Sequence, residues 1–235
     1  MNAALRFRHQ AVYSLLAIIA VMNAAPASAD SRSPLRIVTL GTSLTAGGGW
    51  QEPLRSALES CLGRAVEVIN TGRNGATSTW GLSQAARVAE QRPDILLIEF
   101  AVNDAALYRW ISLDDSRRAV AEIAATVRVQ RPDVRIVIMQ MNPIRGWRAW
   151  LRPRRAEFEQ AHRELARELG ADYVDFSPGW NVLSAAERAT AIPDGTHPIA
   201  SATGRIVVPE LVRLVSNGAC GSNDRASARE DAPSE

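Results

Sequence analysis

The sequence predicts an α/β protein: a flavodoxin-like three-layer α/β/α sandwich around a five-stranded parallel sheet. Five short runs rich in valine and isoleucine are apolar on both faces, the pattern of strands covered from both sides. Stretches with helical spacing separate them, and strands alternating with helices form βαβ units with right-handed crossovers. The tripeptide RPD recurs at residues 92–94 and 131–133, each time between a helical stretch and the next strand, where proline stops a helix.

Taken in order, the first strand is LRIVTL (35–40), followed by a glycine-rich turn and a helix over 52–62. The second strand, AVEVIN (65–70), precedes a helix over 78–91, and the third, ILLIEF (95–100), precedes one over 114–130. VRIVIMQ (134–140) is the fourth strand, with a helix over 154–169 behind it. DYVDF (172–176) is the fifth, and a helix over 203–215 closes the domain. The domain is expected to span residues 30–217. Residues 218–235 are polar, lack apolar periodicity, and read as a disordered tail.

The first 29 residues fall outside that domain. Arg6, Arg8 and His9 precede an apolar stretch over 11–21, and Ala27, Ser28 and Ala29 follow it. This is the layout of a secretory signal peptide, cleaved after Ala29. At about 1.5 Å per residue the apolar stretch is too short to cross roughly 30 Å of hydrocarbon, so stable membrane insertion is not expected after cleavage. The expected location is periplasmic or secreted.

The chain has 27 basic and 25 acidic residues, and cleavage removes Arg6 and Arg8, leaving a formally neutral protein. Net charge therefore gives no reason to expect a nucleic-acid partner. Every basic residue is arginine, so Schiff-base chemistry, a Ser-Lys dyad and a P-loop lysine are excluded. The glycine-rich GTSLTAGGG after the first strand also lacks the spacing of a dinucleotide-binding loop. Cys61 and Cys220 are two free thiols or, in an exported chain, one disulfide; the sequence leaves both open.

In open parallel sheets, ligands bind beyond the carboxyl ends of the strands. Ser43 follows the first strand, Gly75 the second and Asn103 the third, and DGTHP, with Asp194 and His197, precedes the last helix. Serine attack on an ester needs a base for the hydroxyl proton, a carboxylate to orient the base, and donors aimed at the oxyanion. The base follows by elimination. Of three histidines, His9 leaves with the signal peptide and His162 sits in a polar helical stretch, so His197 remains. Asp194 can fold back to the imidazole if the segment turns at Pro193 and Gly195. The backbone N–H groups of Ser43 and Gly75 and the Asn103 side-chain amide are the oxyanion candidates.

These blocks resemble the SGNH/GDSL hydrolases. Ser43 in GTSLTAG, Gly75, Asn103 in VND, and Asp194 with His197 in DGTHP match the family's four blocks in order. The resemblance implies esterase, lipase or thioesterase chemistry through an acyl-serine intermediate, on a small-molecule, glycan or lipid ester, with neither metal nor organic cofactor. Two positions depart from the pattern: Thr42 stands where the family has aspartate, and Ala101 where it has glycine.

Other features have plainer readings. Asp104 is read as capping or bonding its loop, and Glu99 as a buried, paired carboxylate, with arginine the expected partner. Residues 144–155, IRGWRAWLRPRR, are either a solvated loop paired with nearby acids or a substrate wall. In the second case Trp147, Arg148 and Trp150 would hold an anionic or sugar-bearing group. Trp50, Trp80, Tyr108, Trp110 and Trp180 are expected to form an aromatic rim, and residues 47–49 to be slack leaving room over Ser43. The expected function is hydrolysis of short- to medium-chain carboxylic esters. The alternatives are a carbohydrate O-acetyl esterase or acetyltransferase, and a non-catalytic glycan-binding domain.

Overall fold

The computed structural model describes residues 33–220, so the expected signal peptide and nearly all of the expected tail lie outside the described residues. Strand β1 (Leu35–Gly41) leads into a single helical turn, α1 (Ser43–Ala46), then α2 (Gln51–Leu62) and β2 (Val66–Asn70). Helix α3 (Ser78–Glu90) precedes β3 (Ile95–Glu99), which runs into the short α4 (Ala101–Asp104) and a 3-10 turn at Leu107–Arg109. Helix α5 (Leu113–Gln130), β4 (Arg135–Gln140), α6 (Trp147–Trp150), α7 (Arg155–Glu168) and β5 (Asp172–Asp175) follow. The described chain closes with α8 (Ser177–Asn181), α9 (Ala185–Ala191) and α10 (Ala200–Val215).

The five strands are parallel in the order β2-β1-β3-β4-β5. Successive residues of each strand point to opposite faces, as the pleat requires, and both faces are covered. Ile37, Leu97, Val137, Met139 and Val174 face α2 and α10, packing with Leu54, Leu58, Val207 and Leu211. Val38, Leu40, Leu96, Ile98, Ile136 and Ile138 face α3, α5 and α7, with Val88, Ile123 and Leu165. The register pairs like with like across the sheet, for example Leu96 opposite Ile136. A one-residue slip would move each set to the wrong layer, so the two cores specify the register.

At the N-terminal end of the strands, arginines and acids close the sheet. Asp94 accepts from the Arg36 backbone N–H at 2.9 Å and from the Arg131 guanidinium at 2.5 Å. Arg36 also meets Glu67 at 2.8 Å, and Arg135 meets Asp172 at 2.5 Å. Both RPD segments therefore stop a helix and deliver a residue to this network.

Cys61 and Cys220 are joined, with Cα atoms 5.8 Å apart, linking the end of α2 to the segment after α10. Because 159 residues of sequence separate them, the chain-entropy model credits the crosslink with about 5 kcal/mol as an upper figure.

Helix α9 was not expected. Its signal is a capping box, in which the Ser184 side chain accepts from the Glu187 N–H while Glu187 accepts from the Ser184 N–H. Helix α10 begins at Ala200, three residues earlier than expected, and continues past Pro209 because Val207, Val208, Leu211 and Val212 are buried on both sides of it.

Candidate active site

The strand order reverses direction between β1 and β3, and the crevice at their carboxyl ends is where such sheets bind ligands. Ser43 sits directly after β1, as the first residue of α1. Thr42 caps that turn, its hydroxyl accepting from the Leu44 N–H at 3.2 Å. Ser43 Oγ lies 2.8 Å from His197 Nε2, and His197 Nδ1 lies 2.7 Å from Asp194 Oδ2.

The turn expected in DGTHP forms, with Gly195 N–H donating to Ile192 O at 3.1 Å. Asp194 Oδ1 accepts from the backbone N–H groups of Thr196 at 2.8 Å and His197 at 2.7 Å. Partial burial raises the Asp194 pKa, but hydrogen bonds from the His197 backbone and ring and from the Thr196 N–H outweigh it. The carboxyl is held well below the usual carboxylate range. Asp194 is therefore a permanent anion on the imidazole and fixes its tautomer. Two further residues hold the loop: buried Asn142 donates to Thr196 O at 2.8 Å, and the Arg145 N–H donates to Gly195 O at 2.7 Å. Neither was anticipated. Asn142 two residues past the fourth strand was the available signal.

Gly75 occupies the third position of a turn closed by Ala76 N–H to Arg73 O at 3.1 Å, with φ of 72°. A type II turn requires a positive φ there. A Cβ at this position would also come within 2.9 Å of the Arg109 guanidinium. Among the described residues the backbone N–H groups of Ser43 and Gly75 donate to no protein acceptor. Asn103 is buried, and its amide donates to Ala76 O at 2.9 Å, which orients the group. Ser43, Gly75, Asn103 and His197 line one cavity of about 520 Å³.

The two departures from the family pattern have structural accounts. Thr42 donates its hydroxyl to Glu99 Oε1 at 2.8 Å, and that oxygen also accepts from Thr42 N–H at 2.7 Å and Thr45 Oγ1 at 2.9 Å. The expected arginine partner of Glu99 is absent; hydroxyls and a backbone amide replace it because the carboxyl is walled into the turn that carries Ser43. Burial raises the Glu99 pKa to about 7, and the three donors only partly counter it. A threonine at 42 thus avoids a second carboxylate against Glu99. Ala101 starts α4 and is buried with Phe158.

Asp104 caps as expected, accepting from the Ser78 N–H at 2.9 Å and from Ser116 Oγ at 2.6 Å. His162, expected on a polar face, is instead buried and meets Ser116 Oγ at 2.8 Å. Burial and the nearby Arg117 charge lower its pKa to about 4, so it stays neutral as a structural link between α5 and α7.

The rim differs from expectation. Trp147 and Trp150 are exposed and do not line the cavity, because α6 turns their rings outward; Arg148 from the same turn does line it. Trp50 and Trp180 are core residues without any exposure, Trp50 donating to Leu44 O at 3.1 Å. Tyr108 lines the cavity, while Trp110 is 90% exposed and does not line it. Gly47 and Gly48 line it too, but they are not slack. A Cβ on Gly48 would fall 2.2 Å from Leu44 O, and Thr203 Oγ1 donates to Gly48 O at 2.8 Å. Arg152, from the 144–155 segment read as a possible substrate wall, also lines the cavity, as does Arg109, which went unnoticed because nothing in its spacing distinguishes it from a surface arginine.

The model of the GDSL-like lipase/acylhydrolase family matches residues 39–202. The chain belongs to that family. As a GDSL-like acylhydrolase it is a carboxylic ester hydrolase, and its parallel sheet is that family's fold. It resembles the lipase/acylhydrolase from Enterococcus faecalis at 21% identity and TM-score 0.63, covering 76% of this chain and 96% of that one. It resembles the acetylxylan esterase Axe2 from Geobacillus stearothermophilus at 19% identity and TM-score 0.64, covering 80% and 95%. TesA aligns at 20% identity and TM-score 0.62, covering 79% and 99%. No curated protein matches it in sequence. Among the described residues no helix is long and apolar enough to cross a membrane, and no cluster of three or more histidine, cysteine or acidic residues is arranged to hold a metal.

Proposed function

We propose that this acylhydrolase cleaves short- to medium-chain carboxylic esters through an acyl-serine intermediate on Ser43. The continuous Ser43–His197–Asp194 hydrogen-bond chain, 2.8 Å and then 2.7 Å, carries the proposal. His197 Nε2 takes the Ser43 proton as Oγ attacks the ester carbon, and the carbonyl oxygen becomes an oxyanion. The N–H groups of Ser43 and Gly75 and the Asn103 amide receive that charge. The imidazolium then protonates the leaving alcohol, and water repeats the sequence to release the acid. Turnover needs a neutral His197 to accept the proton.

A fluorophosphonate probe tests the nucleophile: it labels the wild type and spares Ser43→Ala, whose turnover drops at least about 10⁴-fold. Absence of label on folded wild type would favour the glycan-binding alternative. A panel of esters from acetyl to long acyl, with acetylated sugars, reads the chain length. Trp147, exposed and stacked at 5.1 Å with the cavity-lining Arg148, favours one second reading, an O-acetyl ester on a carbohydrate, since tryptophan faces stack on sugars. The acetylxylan esterase Axe2 has the same fold.

Action outside the cytoplasm belongs to the same proposal. It rests on the charged, apolar and A-x-A segments before Asp30 and on the Cys61–Cys220 disulfide, which suits an oxidising compartment. Mature protein beginning at Asp30 in a periplasmic or culture fraction supports it, and an intact Met1 in the cytoplasm refutes it.

A further inference from the structure

Three arginines line the cavity beside Ser43, and none of the lining residues is a carboxylate. Neutral groups hold Arg109 and Arg152, and Arg148 meets only a carboxylate that it shares with His197. Arg152 is buried; its Nε donates to Val102 O at 2.7 Å, its terminal nitrogens to Arg148 O at 2.9 Å and Tyr108 Oη at 3.4 Å. Arg109 lies 5.3 Å over the Tyr108 ring, its Nε buried without a hydrogen-bond partner. Arg148 lies 5.1 Å over the Trp147 ring, and its one nearby carboxylate is Asp194 at 3.8 Å, already bonded to His197. Burial lowers the Arg152 pKa and Tyr108 raises it, while the charges of Arg148 and Arg109 press it further down, so the three cations feel one another.

Ring faces and carbonyl oxygens orient a guanidinium without neutralising it. Holding three like charges together at a cavity wall costs free energy that a bound anion would return. We infer that the substrate is an anionic ester, carrying a carboxylate, phosphate or sulfate that Arg109, Arg148 and Arg152 grip while its ester carbonyl sits at Ser43. This rests on the serine esterase reading above and names its substrate class.

Two matched ester pairs test it. Charge on the acyl half is read with 4-nitrophenyl hydrogen adipate against its methyl ester, a chain long enough that the carboxylate does not readily attack its own ester. Charge on the alcohol half is read with 4-acetoxybenzoate against methyl 4-acetoxybenzoate. Each rate is normalised to hydroxide-catalysed hydrolysis. The wild type is expected to prefer the charged member of at least one pair by tenfold or more in kcat/KM, mainly through KM, with the preference shrinking as NaCl is added. Arg109→Gln and Arg148→Gln are each expected to bring the ratio towards one. Equal or lower rates for both charged esters, in wild type that takes the fluorophosphonate label, overturn the anionic substrate and leave the esterase standing. A charge preference unchanged in both variants overturns the assignment to these arginines. No label and no hydrolysis of any ester overturns both readings.

Discussion

At the N-terminal end of the strands, Arg36, Arg131 and Arg135 each meet a carboxylate, Glu67, Asp94 and Asp172 respectively. At the carboxyl end, Arg109 and Arg152 meet ring faces, a hydroxyl and carbonyl oxygens, and Arg148 reaches only the carboxylate that already serves His197. The same residue type does two jobs. Where the charge is neutralised it ties strand ends and helix ends together; where neutral groups hold it, it keeps donors for something from outside. Titratable groups divide by burial instead. Glu99 and His162 are shut in by burial, whereas Asp194 and His197 are partly exposed at the cavity mouth.

Experiments on the two ends should separate stability from turnover. The largest stability effect belongs to the closed end. Replacing Cys61 and Cys220 by serine is expected to cost up to about 5 kcal/mol, lowering Tm by roughly 10–20 °C by calorimetry. kcat at 25 °C should stay unchanged, and a loss of kcat would show that the two ends are coupled. Asn103→Ala acts at the open end, with kcat falling about 100- to 1000-fold, equivalent to roughly 3–4 kcal/mol. Loss of its bond to Ala76 O should cost only about 1 kcal/mol of stability, so an unfolded variant would contradict the division.

Glu99 sits between the two regimes. Its folded pKa of about 7 exceeds the ordinary 4.5, so the folded state holds the proton more tightly. Stability from this group is complete below about pH 4.5, declines as pH rises through about 7, and is flat above, a total of about 3 kcal/mol. Urea midpoints of Glu99→Gln should lack that decline while the wild type retains it. The smallest effect is expected for Arg36→Ala. Its pair with Glu67 is over a third exposed on both sides, so less than about 1 kcal/mol is at stake, with no change in kcat/KM.

The strands and the main helices were legible because burial on both faces leaves continuous apolar runs, and their ends shifted by only one to three residues. Ser43, Gly75, Asn103, Asp194 and His197 were legible because each sits at a strand end or a turn whose chemistry is local. The short helices α6 and α9 were not, since four and seven residues are too few to show a period. Trp50 and Trp180 were misplaced on the rim because a tryptophan near a strand end reads the same whether it points outward or into the core. Trp147 and Trp150 failed for the converse reason. Which face of α6 meets the cavity depends on the turn at Gly146, where φ is 60°.

The sequence by itself determined the parallel sandwich and the order of the candidate site blocks, because continuous apolar runs and turn chemistry are properties of neighbouring residues. Only the tertiary structure decided which cysteines, carboxylates and arginines have partners. Cys61 and Cys220 are 159 residues apart. Arg109 and Arg152 share a cavity with Ser43 because three separate strand ends converge there. Whether a charge is cancelled or left open depends on such distances across the fold, and no local pattern encodes them.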